Sequence, residues 1–160
     1  MATATARTES PPRAALHERE HPSCFACGAH AVPGLGLCFM PSDPAEEDGA
    51  GAETCAEWLP PAWAISYDNT VHGGLVATAL DSTMVHTLFA RGLAARTAEL
   101  VVRYRHPVRP LVACALRGRF LGRRGPVHQL EATLRQSGRI CARATATFFA
   151  LASPAARSSG

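Results

Sequence analysis

The sequence predicts an α+β domain in which one long apolar helix is set among about six antiparallel strands. Three observations predict it. Leu75, Val76, Ala79, Leu80, Met84, Leu88 and Phe89 recur at helical spacing in a run with few polar residues, so other structure is expected to wrap this helix. Beyond Gly92 the apolar period becomes two and stays so to about residue 150. Two shorter strand-like runs precede the helix. Two strands, one helix and four strands in that order make a sheet with a helix buried against it. No internal repeat is visible.

The chain has 160 residues, 47% of them hydrophobic, which is enough for one domain with a sizeable core. No early apolar segment precedes a cleavage site, and no apolar run is long enough to span a membrane. The expected location is the cytoplasm, where six cysteines are expected as thiols rather than disulfides.

Residues 1–20 are rich in Ala, Thr, Pro and charge without periodicity, and read as a disordered tail. The folded domain is expected over 21–151, with a second short polar tail at 152–160. His21, Cys24, Cys27 and His30 then fall at every third position. These are zinc-ligand types, but zinc sites usually draw ligand pairs from separate segments, and four ligands from ten residues is a strained arrangement. The expectation is a buried turn of small residues, with Cys24 and Cys27 as reduced thiols and no metal.

Residues 34–40 read as the first strand and 41–51 as an acidic turn with Pro and Gly. Residues 53–58 read as the second strand. A loop over 59–69 carries Trp63 and Tyr67, which either line an acyl pocket or, as is commoner, pack against the helix. The helix runs from 73 to 91 or 92, with Gly92 as its stop. In the next strand Ala98, Leu100, Val102 and Tyr104 face one way; Thr97, Glu99, Arg103 and Arg105 face the other. A fourth strand at 111–121, a turn at 122–126 and a fifth strand at 127–135 follow. Gln136, Ser137 and Gly138 make a tight hairpin. The last strand places Ile140, Ala142, Ala144, Ala146 and Phe148 on one face.

The net charge of +3 hides an asymmetry. Residues 1–81 carry 3 arginines against 11 acids, and residues 82–160 carry 13 arginines against 2 acids, with no lysine anywhere. An arginine-rich half suits phosphate or an acidic carrier protein. Outer strand faces account for most of these arginines. Nucleic-acid binding is not supported, because the charges alternate along strands and no reading motif accompanies them.

The chemistry concentrates where the helix begins. His72, Gly73 and Gly74 open it, and Asp81 follows two turns later. Backbone N–H groups at a helix start are unpaired and carry the positive end of the dipole. Gly74, lacking a side chain, lets a ligand approach closely. The helical neighbours of Asp81 are Ala77, Thr78, Met84 and Val85, none of them a cation. A carboxylate so placed should be more basic than in water.

This run resembles the His-Gly-Gly…Asp motif of hotdog-fold thioesterases of the phenylacetate-pathway type, and the spacing from His72 to Asp81 matches that family. Cys24-Phe25-Ala26-Cys27-Gly28 with Gly34-Leu35-Gly36-Leu37 is similar to the opening of one branch. Val101 to Val108 is similar to the strand after the helix. The resemblance covers about residues 21–151. It implies a curved sheet wrapped around the helix, homodimers with a continuous sheet, and often two dimers together as a tetramer. It implies hydrolysis of an acyl-CoA or acyl-carrier-protein thioester, with no metal and no bound cofactor. Gly73, with His72, would supply the oxyanion hole. Asp81 would act as general base or nucleophile, and Thr97 would orient the water. His72 would orient the loop rather than transfer protons. Many relatives carry Asn or Gln about six residues before the histidine, where this chain has Ser66; Asn69 substitutes only if the loop takes another path. Arg103, Arg105, Arg123 and Arg124 are candidate contacts for coenzyme A phosphates. His86, His106 and His128 are read as structural or surface.

Two rivals share the fold: a non-catalytic acyl-CoA-binding or regulatory module, and a hydratase or dehydratase. Asp81 together with Thr97 argues against the first, and no matching His/Asp or His/Glu placement supports the second. Fold alone would not choose. Gly73 and Asp81 lie about 12 Å apart along one helix, at ~1.5 Å per residue. A thioester carbon must come within about 3–3.5 Å of its attacking oxygen. Each site is therefore expected to combine the helix start of one chain with Asp81 and Thr97 of another.

Overall fold

The computed structural model describes residues 13–29, 34–41 and 53–151. The expected acidic turn, His30 and the C-terminal tail lie outside or largely outside them. The elements in order are α1 (Arg13–Glu20), β1 (Cys38–Pro41), β2 (Thr54–Trp58), a 3-10 turn (Ala62–Ala64), β3 (Ile65–Tyr67), β4 (Thr70–Val71), α2 (Gly73–Ala90), β5 (Ala95–Tyr104), β6 (Cys114–Arg124), β7 (Val127–Gln136) and β8 (Arg139–Ala150).

Six strands form one antiparallel sheet in the order β1-β2-β6-β7-β8-β5. β5 is thus an edge strand, although it follows the helix directly. α2 lies on one face of this sheet, as the apolar spacing requires. Val76, Ala79, Leu80, Met84, Leu88 and Phe89 are buried there against Leu116, Leu130, Leu134, Ala144 and Phe148. Burying one such Leu or Phe contributes about 1.5–3 kcal/mol. The polar residues on the buried side do not break this packing. Thr83 donates to Ala79 O at 2.7 Å and Thr87 to Thr83 O at 2.9 Å, so both hydroxyls are satisfied within the helix. Gly118 of β6 is what lets the helix lie so close, because a Cβ there would overlap the Thr87 hydroxyl. Among the described residues, no helix is long and apolar enough to cross a membrane.

Several expectations need correction. Residues 13–20 are not part of a disordered tail: they form α1, whose Leu16 is buried in the core and whose His17 ring lies 4.8 Å from that of His86 on α2. The first strand is shorter than 34–40, because Gly36 takes a positive φ of 64° and the chain extends only from Cys38. The loop over 59–69 contains the 3-10 turn and a β3–β4 hairpin, and its Trp63 and Tyr67 are exposed, Tyr67 on the wall of an open cleft beside Gly73 and Val76 of α2. β6 begins later than expected and runs on to Arg124, so the β6–β7 turn is only Gly125-Pro126. At the β7–β8 hairpin Ser137 and Gly138 both have positive φ, which suits the twist of a two-residue turn. All six cysteines are free of disulfides.

Candidate active site

The start of α2 is fastened from several sides. Val71 donates its N–H to Val108 O at 2.8 Å, and His72 donates to Ala64 O at 2.7 Å. His72 is the N-cap: its Nδ1 accepts the Gly74 N–H at 2.9 Å. A Cβ on Gly74 would lie 3.0 Å from that same nitrogen. The space Gly74 leaves is therefore filled by the His72 ring. One donor at the helix start remains uncommitted to these bonds, the N–H of Gly73 at the first helical position. The Gly73 carbonyl accepts the Tyr104 hydroxyl at 2.7 Å, which ties the helix start to the end of β5. A cleft of about 330 Å³ opens here, lined by Ser66, Tyr67, Thr70, Gly73, Tyr104 and Arg105 among others.

Two turns along the helix, Asp81 meets Thr97. The Thr97 hydroxyl donates to Asp81 Oδ1 at 2.8 Å. A β-bulge makes this contact. Thr97 pairs with Phe148 and Glu99 with Thr147, so Ala98 has no partner and the alternation breaks. Thr97 shares the face of Phe148, which looks onto α2, and not the face of Glu99. The strict period-two reading had Thr97 on the wrong side. Burial raises the Asp81 carboxyl above the ordinary aspartate value of 3.8, and the Thr97 hydrogen bond and the charge of His21 offset this in part.

His21 is the neighbour that helical spacing could not reveal. It comes from the segment after α1, and its imidazole and the Asp81 carboxylate feel each other's charge. Its ring packs edge-on against Phe89, with centroids 5.1 Å apart. Burial, then the charge of His17, lowers its pKa below the usual histidine value, and the charges of Glu20 and Asp81 offset this in part. Nearby Cys27 is buried and its thiol is pushed up to about 12, chiefly by desolvation, which leaves it no thiolate nucleophile.

No protein-family model and no curated protein matches the chain. Solved structures do match. A thioesterase superfamily protein aligns with a TM-score of 0.67 at 20% identity, covering 78% of this chain. The chain spans only 58% of that protein's length. A phenylacetic acid degradation-related protein from Ralstonia eutropha JMP134 aligns with a TM-score of 0.62 at 22% identity, covering 76% of this chain and 93% of that one. A hypothetical thioesterase from Streptococcus pneumoniae TIGR4, solved with coenzyme A, aligns with a TM-score of 0.61 at 15% identity, covering 71% and 88%.

The chain has the hotdog fold. Within it, the expected site residues divide into separate groups. Asp81 and Thr97 meet in one chain. Gly73 lies two turns away, beside Arg105 and Ser66 in the cleft. The other expected donor, the His72 N–H, is bonded to Ala64 O, and the neighbouring Gly74 N–H is bonded to the His72 ring. Asn69 does not reach the cleft. It sits in the two-residue turn between β3 and β4, exposed, with a φ of 50° that asparagine tolerates. Arg103 is exposed and directly opposite Arg143 across the strands. Arg123 and Arg124 lie beyond the other end of α2, where Arg91 rests 4.1 Å above the Phe120 ring. Arg123 is held by a bond from its Nε to Gly125 O at 2.9 Å. Within one hotdog chain, then, the arginines expected to bind phosphate do not form one cluster.

Proposed function

We propose that this protein hydrolyses an acyl thioester of coenzyme A or of an acyl carrier protein. The observation that carries the reading is the Asp81–Thr97 pair: a carboxylate made more basic by burial and held in one orientation by a hydroxyl. Asp81 takes a proton from water as the water oxygen attacks the thioester carbonyl carbon. The carbonyl oxygen becomes an oxyanion and is met by the Gly73 N–H. The oxyanion then collapses, the carbon–sulfur bond breaks, and the proton passes to the departing thiolate. Direct attack by Asp81, through a mixed anhydride that water then opens, uses the same groups. Hydrolysis in ¹⁸O-water separates the two, because only the second route passes the label through Asp81.

The distance between Gly73 and Asp81 sets the architecture of the site. At about 12 Å apart along one helix they cannot flank one carbon. In the proposed dimer, antiparallel α2 helices place the Gly73 of one protomer opposite the Asp81 of its partner. The edge strand β5 supports such pairing: it is ten residues long, ends the sheet, and exposes Val101 and Tyr104. Arg105, which lines the same cleft as Gly73, is the leading contact for a coenzyme A phosphate.

The solved structures support the substrate class. One hotdog protein of this likeness, from Streptococcus mutans UA159, is bound to acetyl-CoA. The Streptococcus pneumoniae protein was also solved as two variants, one losing an aspartate and one a threonine sixteen residues further on. Asp81 and Thr97 have that same separation. The test is thiol release across short-chain, long-chain and aryl acyl-CoAs. Turnover that vanishes with Asp81→Asn supports the reading. Tight acyl-CoA binding without turnover would make the protein a binding module instead.

A further inference from the structure

The segment after α1 brings together three side chains that the proposed hydrolysis does not use as a group. His21, Cys24 and Cys27 place one nitrogen and two sulfurs all within 4.8 Å of one another. The backbone explains how. Cys24 donates its N–H to His21 O at 3.3 Å, and Gly28 donates to Cys24 O at 2.8 Å. The first bond spans three residues and the second four, so the segment coils as a 3-10 turn running into an α-type turn, and side chains three apart lie on one side. The spacing that looks strained in an extended chain is what this coil delivers. Gly28 closes it, since a Cβ there would overlap the Cys24 backbone.

We propose that His21, Cys24 and Cys27 bind one zinc ion. The distances suit it. His21 Nδ1 and Cys27 Sγ are 3.7 Å apart. Two ligands of a tetrahedral zinc, at ~2.0–2.1 Å for nitrogen and ~2.3 Å for sulfur, stand about 3.6 Å apart. The charges suit it as well: Zn²⁺ displaces the protons of both thiols to solvent, and the two thiolates and a neutral imidazole then balance its charge, which a half-buried place tolerates. Thiolate with imidazole selects zinc over hard cations such as Mg²⁺ or Ca²⁺. Three protein ligands leave a fourth position for water. The site fastens the segment carrying His21 onto α2, beside Phe89 and within the field of Asp81.

A second group, His17, Cys27 and His86, shares Cys27. It is the weaker candidate. It offers one thiolate in place of two, and the His86 ring is stacked on Phe39 with centroids 4.1 Å apart.

The experiment is metal analysis of the full chain, purified without chelator and without a histidine tag, then equilibrated with Zn²⁺ and dialysed. One zinc per chain is expected, lost in Cys24→Ser and kept in Cys38→Ser, whose thiol lies outside the triplet. Co²⁺ loaded into the unmutated chain removes any dependence on variant folding. It should give the intense visible bands of tetrahedral coordination and charge transfer from two thiolates. Chelation should lower the melting temperature of the unmutated chain. Substoichiometric zinc after loading, an octahedral Co²⁺ spectrum, or a Cys24–Cys27 disulfide would overturn the proposal. So would zinc that survives Cys24→Ser but is lost with His17→Ala, which would place the ion in the second group.

Discussion

Thr97 donates its hydroxyl proton to Asp81 Oδ1 at 2.8 Å, bridging the edge strand and the central helix. The bond engages one carboxylate oxygen, and in the proposed mechanism the other meets the water. A group held this way reacts in one direction without first being reorganised.

Asp81→Asn should therefore lower kcat by about 10²–10⁴-fold, the usual cost of a general base, with the fold retained. It should also stabilise the chain. The folded-state pKa of Asp81 lies above its ordinary value of 3.8, so the folded protein holds this proton more tightly than the unfolded one. The contribution of the group to stability is then greatest below the unfolded pKa and falls as pH rises through the folded pKa. At neutral pH the parent bears this penalty and Asp81→Asn does not. Thermal melts should favour the variant at pH 7, with a gap that closes toward pH 4. An equal melting temperature at both pH values would mean that the carboxylate is not strained.

Thr97→Ala should move the acid limb of the kcat/KM profile to higher pH. The hydroxyl is the larger of the two influences that lower the Asp81 pKa against burial, and its loss leaves only the charge of His21 to oppose desolvation. Thr97→Ser keeps a donor and should return the limb to its place. If Thr97 served packing alone, the rate could fall in Thr97→Ala while the limb stayed where it was.

The sequence made Asp81 legible for a physical reason: an acid flanked by Ala77, Thr78, Met84 and Val85 on an apolar helix has no cheap structural explanation. The helix and the period-two strands were legible because burial imposes their spacing. Three features were not. The bulge at Ala98 leaves no mark in Thr97-Ala98-Glu99, yet it turns Thr97 toward the helix. α1 is a short helix anchored by Leu16, and its order comes from docking on α2. The approach of His21 to Asp81 joins residues 60 positions apart, a relation that only the packed chain creates. His72 was legible in role, as an orienting residue, though not as the cap of Gly74.

The separated arginines give a further test. Arg105 shares the cleft with Gly73, whereas Arg123 and Arg124 lie beyond the far end of α2. Arg105→Ala should raise KM for acyl-CoA with little change in kcat, as for binding common to ground and transition states. The Arg123→Ala/Arg124→Ala pair should do the same only if the partner brings its hairpin to the thiol-carrier end of the site. Both effects should shrink as salt rises, since these side chains are exposed. Unchanged KM in both variants would remove these arginines from substrate recognition.

The two-chain site is tested by complementation. Asp81→Asn removes the proton acceptor. A bulky residue at Gly73 obstructs the helix start: a Cβ there would already touch the Tyr104 ring at 3.5 Å, so larger groups must displace the ring or fill the cleft. Each variant alone should form inactive dimers, since both of its sites carry the damage. In a mixed dimer the two lesions fall unequally. One site pairs the altered Gly73 with the altered Asp81 and is doubly damaged; the other pairs an unaltered Gly73 with an unaltered Asp81 and is whole. Independent sites then give about half of the parental activity per dimer. The recovered activity should keep the parental KM, because the surviving site is complete, and it should vanish when either lesion is added to the other chain. Folded mixed dimers that stay inactive would require Gly73 and Asp81 to act within one chain, against the ~12 Å that the helix puts between them.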